Sequence, residues 1–181
     1  MEIANEKKIA GLVQFLRKGR TMTGRFRLPM SEEQAYEYLL AAYIMEVQLR
    51  YRRFIYNGFV EEQLKQVANC LTANTAKFGI VLCGGCGNGK TTMLKALQNL
   101  VRRLEILKPD LSPNAGHSSD NYYSFTIVNA MQIVQIRKTD YNKFCKLAKA
   151  DMLGIDDIGT EPAEVQDYGN FMYPIKELLA M

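Results

Sequence analysis

The sequence is poor in the residues that most often carry acid–base and metal chemistry. It holds one histidine and four cysteines in 181 residues. The histidine, His117, falls without a partner in a polar stretch rich in turn formers, KPDLSPNAGHSSDN (108–121), and is not read as catalytic. Cys83 and Cys86 form a C-x-x-C pair, but Cys70, Cys145 and His117 supply no second paired spacing, which a closed metal site would need. No stretch approaches the roughly 18 consecutive apolar residues that span a bilayer. The amino terminus, MEIANEKKIAGLVQFLRKGR, does not read as a secretory signal, because acids precede its lysines and its apolar run is short and broken. These absences argue against a histidine-based catalyst, a metal scaffold and a membrane protein. A soluble, cytoplasmic chain with reduced thiols is expected. No internal repeat is visible.

Hydrophobic residues make up 48% of the chain, enough for one packed domain or a small domain with an appendage. The net charge of +4 is unevenly placed. Residues 1–30 carry Lys7, Lys8, Arg17, Lys18, Arg20, Arg25 and Arg27 against Glu2 and Glu6, a net of +5 that leaves the remainder near neutral. A basic arm of this kind suits nucleic acid or an acidic protein face, and equally a solvated tail.

Ser31 and Gln34 have capping-box spacing. Behind them Tyr36, Leu39, Leu40, Tyr43, Ile44, Val47, Tyr51, Phe54 and Ile55 recur at three and four, which predicts one long amphipathic helix stopped at Asn57-Gly58. A second helix is expected from about Glu61 to Ala73, with Leu64, Val67, Ala68 and Leu71 on its apolar face. The pattern then changes. Residues 78–82 (FGIVL), 124–128 (SFTIV) and 152–155 (MLGI) read as short strands, separated by a helix that opens at Gly89-Lys90 and carries Leu94, Leu97, Leu100, Val101 and Leu104, and by one or two helices from Ala130 to Ala150. Alternating strands and helices predict an α/β chain with a parallel sheet flanked by helices, preceded by an all-α region.

The chemistry is concentrated in VLCGGCGNGKTT (81–92). Gly84, Gly85, Cys86, Gly87, Asn88, Gly89, Lys90, Thr91 and Thr92 give G-x-x-x-x-G-K-T between a strand and a helix, the context of a phosphate-binding loop. Successive backbone N–H groups surround an anion there, and the following helix adds its partially positive end. Lys90 would reach the β- and γ-phosphates of ATP, and the Thr91 hydroxyl would bind Mg²⁺. The second half is MLGIDDIGTEP (152–162), an apolar strand ending in carboxylates. Asp156 is the candidate for the metal shell, and Asp157 for orienting the attacking water, or else a second solvated acid. Glutamate would reach one methylene further than Asp157. Within this loop Cys83 is expected to pack at the strand end as a small apolar thiol, so redox and metal readings of the C-x-x-C are set aside. One regulatory hypothesis remains, that oxidation of Cys86 near the helix end blocks nucleotide. Unchanged ATP binding after mild peroxide treatment would remove it.

Three segments, FGIVLCGGCGNGKTTMLKAL (78–97), FTIVNAMQIV (125–134) and ADMLGIDDIGTEP (150–162), make the chain resemble the AAA+ ATPases of the DnaC/IstB type, the bacterial and phage helicase loaders and transposase helpers. The IDDIG-x-E run is the most specific of them. The resemblance covers residues 60–181 and implies a P-loop NTPase core of AAA+ (ASCE) type, with residues 1–59 as a helical, basic, partner-binding region. It also implies ATP and Mg²⁺ as cofactors, a replicative helicase or transposase as partner, single-stranded DNA as a ligand, and ATP-dependent homo-oligomers.

The family's core continues past the second acidic motif into a fourth strand with a polar sensor residue, then an arginine finger and a second sensor. This sequence stops at FMYPIKELLAM. In that topology the fourth and fifth strands flank the P-loop strand. Without them some ten backbone polar groups lose partners, at about 1–3 kcal/mol each if buried dry, against a domain stability of about 5–15 kcal/mol. A longer natural product is therefore expected, with weak ATPase activity in this chain. The alternative repair places the acidic strand beside the P-loop strand, the order of P-loop kinases, which makes a small-molecule kinase one rival. A nucleotide-gated adaptor with little turnover is another. The basic and aromatic stretch RYRRFIYNGF (50–59) suits single-strand binding, but continuation of the helical stripe favours a core face with a solvated rim.

Overall fold

The computed structural model describes residues 26–74, 79–108, 119–162, 164–167 and 170–181. The basic arm up to Arg25, Phe78 and His117 lie outside them. The chain is mixed α/β, with six helices and a two-stranded parallel sheet among the described residues.

Helix α1 (Glu32–Gln48) starts at the expected capping box, in which the Ser31 hydroxyl accepts from the Gln34 amide and Gln34 reaches back to the Ser31 amide. It ends earlier than the apolar spacing predicts. Tyr51 takes a left-handed φ of 56° just past its last turn, and the amides of Arg50, Tyr51 and Arg52 fold back onto the Val47 and Gln48 carbonyls. The buried stripe therefore stops before Tyr51, which is 100% exposed, and Ile55 is exposed as well. Asn57 does not close α1. It opens α2 (Gly58–Thr72), its side chain accepting from the Val60 amide. Asn57 caps because its short carbonyl satisfies a first-turn donor, where a helix stop was expected. The α2 face is as expected, with Leu64, Val67, Ala68 and Leu71 buried.

Helix α3 (Lys90–Leu104) buries Met93, Ala96, Leu97, Leu100 and Val101 against Leu39, Leu64 and other residues of α1 and α2 in one core. The segment expected as a partner-binding region thus shares its hydrophobic interior with the helix that follows the glycine-rich loop.

Strands β1 (Phe125–Asn129) and β2 (Met152–Asp156) pair in parallel, in a register that sets Phe125 opposite Met152 and Asn129 opposite Asp156. Alternation divides their side chains cleanly. Phe125, Ile127 and Met152 join the core under α3, while Val128, Leu153 and Ile155 join a second core with α4 (Ala130–Thr139), α5 (Tyr141–Ala148) and α6 (Pro174–Ala180). The expected one or two helices after β1 are two, broken at Asp140, whose carboxylate accepts from the Lys143 amide to start α5. A short hairpin, β3 (Val165–Asp167) and β4 (Asn170–Met172), packs Val165 and Met172 on Val134 of α4. The two ends of the parallel pair are tied. At the amino end the Ser124 amide and hydroxyl donate to Asp151, which also pairs with Lys108 at 2.9 Å.

The third expected strand does not form. Residues 79–83 make no ladder with any described strand, Ile80 and Val81 are exposed, and Cys83 is exposed where packing was expected. An extended apolar run becomes a strand only when a neighbour satisfies its backbone, and β2 pairs with β1 alone.

Candidate nucleotide-binding site

The site is built by the face that β2 turns toward α3. Met152, Gly154 and Asp156 share that face by the period of two. A Cβ at Gly154 would lie 2.7 Å from Leu94 Cδ1 and 2.9 Å from Phe125 Cε2, so only glycine lets α3 sit this close. Leu94 covers Gly154, and Thr91, one turn earlier on α3, falls over Asp156. A turn of three residues rises about 4.5 Å and two strand residues about 6.6 Å, a mismatch of only about 2 Å that side-chain reach spans. The result is a hydrogen bond from Thr91 Oγ1 to Asp156 Oδ1 at 3.2 Å, joining residues 65 apart in sequence.

The amino end of α3 lies in the glycine-rich loop. Gly89 takes a left-handed φ of 79° and provides no side-chain cap. Any Cβ there would overlap the Tyr43 hydroxyl of α1, so a larger residue is excluded twice over. The other helices of eight residues or more among the described residues start with a capping side chain, from Ser31, Asn57, Asn129 and Asp140. The first-turn donors of α3 are left for something else. Lys90 Nζ donates to the carbonyls of Gly84 and Gly85, both at 2.8 Å. Cys86, Gly87 and Asn88 lie in the exposed loop, and Cys83 and Cys86 are both free thiols. Thr92, the third residue of α3, is buried and accepts a hydrogen bond from Arg50.

Asp157 follows Asp156 with a left-handed φ of 55°. Its amide donates to Asp156 Oδ1 at 3.1 Å, and its carboxylate accepts from Asn129 Nδ2 at 3.0 Å. The turn behind it is closed by the Thr160 amide and hydroxyl on the Asp157 carbonyl, and by the Gly159 amide on Glu161. The residues of the IDDIGTE run therefore fix one another. Thr91 and Asp156 meet through their hydrogen bond, with Asp157 next to Asp156, while Lys90 Nζ turns onto the Gly84 and Gly85 carbonyls. Asn129, Arg50 and Tyr43 were missed. Asn129 had a signal, since Asn129 and Gln132 have capping-box spacing at a strand end. Arg50 and Tyr43 had none, because the over-long helix hid where they point.

The Thr91 hydroxyl and Asp156 carboxylate are hard oxygen donors within one coordination sphere of each other. That fits Mg²⁺, which takes one or two protein ligands and completes its shell with phosphate and water. An apolar cleft of about 470 Å³, lined by Glu161, Pro162, residues 173–176, Leu179 and Ala180, shares no residue with the glycine-rich loop. No helix among the described residues is long and apolar enough to cross a membrane.

No protein-family model, no curated protein and no solved structure matches the chain.

Proposed function

We propose that this chain is a Mg-ATP-binding ATPase of the AAA+ helicase-loader or transposase-helper type, with a P-loop NTPase core. The observation that carries the reading is the Thr91–Asp156 hydrogen bond beside the uncapped start of α3. It joins one residue of the glycine-rich motif to one of the acidic motif, 65 positions apart, and so supports the reading.

In this reading the amides of residues 84–92 hold the phosphates, and Lys90 leaves the Gly84 and Gly85 carbonyls for the β- and γ-phosphate oxygens. Thr91 and Asp156 would hold Mg²⁺, which when bound neutralises charge on the transferred phosphoryl group. Asp157, oriented by Asn129, positions the attacking water. ATP binding switches a surface toward a replicative helicase or transposase, with single-stranded DNA as a second ligand, and hydrolysis resets it. ATP-dependent homo-oligomers and a cytoplasmic location belong to the same proposal.

A second reading, the nucleotide-gated adaptor with little turnover, is favoured by one feature. Asp157 is a short carboxylate already tied to Asn129, which suits holding ATP better than fast hydrolysis. The kinase reading gains no support from the pairing of β2 with β1.

The test is ATP titration of the 181-residue chain with and without Mg²⁺, beside a thermal melt, for wild type and Lys90→Ala. Binding that Mg²⁺ strengthens, lost in a folded Lys90→Ala variant, is expected. Equal affinity in the folded variant would sink the assignment. Stimulation of turnover by single-stranded DNA would separate loader from adaptor.

A further inference from the structure

Helix α1 delivers a second cation to the phosphate loop. Arg50, just past its carboxyl end, donates from Nη1 to Thr92 Oγ1 at 3.0 Å. Thr92 is buried in the first turn of α3, so the guanidinium is fixed against that turn. Tyr43 lies seven residues before Arg50, about two helical turns, and its hydroxyl abuts Gly89. The same element thus meets the loop at two points, at the N-cap of α3 and at its third residue.

Electrostatics makes this placement informative. The amino end of a helix carries partial positive charge and favours anions, while cations belong at the other end. Here Arg50 and Lys90 both sit at the positive end, and no carboxylate forms an ion pair with either among the described residues. Asp156 is engaged by the Thr91 hydroxyl and the Asp157 amide. The turn that presents Arg50 is strained as well, because Tyr51 holds a left-handed φ of 56° with its side chain fully exposed. Strain of this kind persists where the surroundings demand it. The carboxylate at this turn, Asp156, is so held and forms no ion pair with either cation, which leaves Arg50 and Lys90 available to an anionic ligand.

We propose that Arg50 is a phosphate-binding residue of the nucleotide site, contributed within the chain by α1. It rests on the reading of residues 84–92 as an ATP site. Its planar fork suits phosphate oxygens better than an ammonium does, and it is held on the first turn of α3 by Thr92, whereas Lys90 is held on the Gly84 and Gly85 carbonyls. Lys90 and Arg50 then grip the polyphosphate from two sides.

The experiment titrates ATP with Mg²⁺ into wild type, Arg50→Gln, Arg50→Lys and Lys90→Ala, and competes a bound fluorescent ATP analogue with tripolyphosphate. Arg50→Gln is expected to weaken both ATP and tripolyphosphate by roughly tenfold, the scale of a charge-assisted hydrogen bond to an exposed cation, with Arg50→Lys between it and wild type. Nucleotide-free melts check that each variant is folded, with a small fall expected for Arg50→Gln because the buried Thr92 hydroxyl loses its donor. Unchanged ATP affinity in Arg50→Gln, with wild type binding and Lys90→Ala not, overturns the role of Arg50 alone. So does a loss for ATP with none for tripolyphosphate. Absence of ATP binding by wild type removes the ATP site and the Arg50 role together.

Discussion

Gly154 is the smallest residue on which the site depends, and its replacement by alanine gives a graded test. The new methyl would meet Leu94 Cδ1 at 2.7 Å and Phe125 Cε2 at 2.9 Å, about 1 Å inside the distance at which carbon atoms attract. The end of Leu94 can rotate away. Phe125 is buried and held in the β1–β2 ladder, so part of the strain must lift α3. Overpacking of this size costs about 1–3 kcal/mol, offset by about 0.4–1 kcal/mol because alanine restricts the unfolded chain. A net loss of about 1–2 kcal/mol follows, or a fall in Tm of roughly 2–8 °C for a chain of this length. Lifting α3 also draws Thr91 from Asp156, so the Mg²⁺-dependent part of ATP affinity should fall with stability. Urea unfolding and ATP titration with and without Mg²⁺ measure the two effects. Gly58→Ala is the control: a Cβ at Gly58 meets nothing within 4 Å, so the same chemical change should leave stability equal or slightly higher. A Gly154→Ala protein as stable as wild type would refute the close approach of α3 to β2.

Three further outcomes are expected. Tyr51→Gly should raise stability by about 1 kcal/mol in urea unfolding, because glycine takes the left-handed turn without strain and the lost side chain was fully exposed. Asn129→Asp keeps the cap of α4 but sets a second carboxylate against Asp157, lowering stability by about 1 kcal/mol at neutral pH; unfolding followed against pH should show the deficit vanish as one of the two acids protonates. Burial alone would raise the Asp151 pKa, but Lys108 and the Ser124 hydroxyl and amide outweigh it and hold the carboxyl below its usual range. Its stabilising contribution is then full above about pH 3.9 and lost as pH falls through the lower folded value. The stability gap between wild type and Asp151→Asn, measured by urea unfolding, should accordingly be open at neutral pH and close in strong acid.

Much of this architecture was legible because its signals are local. The Ser31–Gln34 box, the face of α2 and the β1 and β2 segments follow from spacing alone, and the two motifs announced which side chains would meet. What failed was decided by tertiary context. The stripe running through Tyr51 and Ile55 has perfect helical period, yet a left-handed turn at Tyr51 ends the helix, and no residue type there signals it. Asn57-Gly58 serves equally well as a stop or a start, and only the Val60 amide tells which. The apolar run at 78–82 reads as a strand, but a strand is a property of a pair, and its partner is not in its own sequence. The approach of Arg50 to Thr92 and of Tyr43 to Gly89 depends on how α1 packs on α3, which no local signal carries.

The grip of Lys90 on the Gly84 and Gly85 carbonyls bears on how quickly the loop can be filled. Two peptide oxygens turned inward are the wrong polarity for a phosphate, which wants the opposite ends of those peptides. If residues 84–92 hold ATP as proposed, the ammonium must let go and the peptides must rotate before the anion can settle. Association is then a two-step process: a loose encounter, followed by a rearrangement whose rate belongs to the protein. In stopped-flow mixing the observed rate should climb with ATP concentration and level off, and the plateau measures how often the loop releases its own lysine.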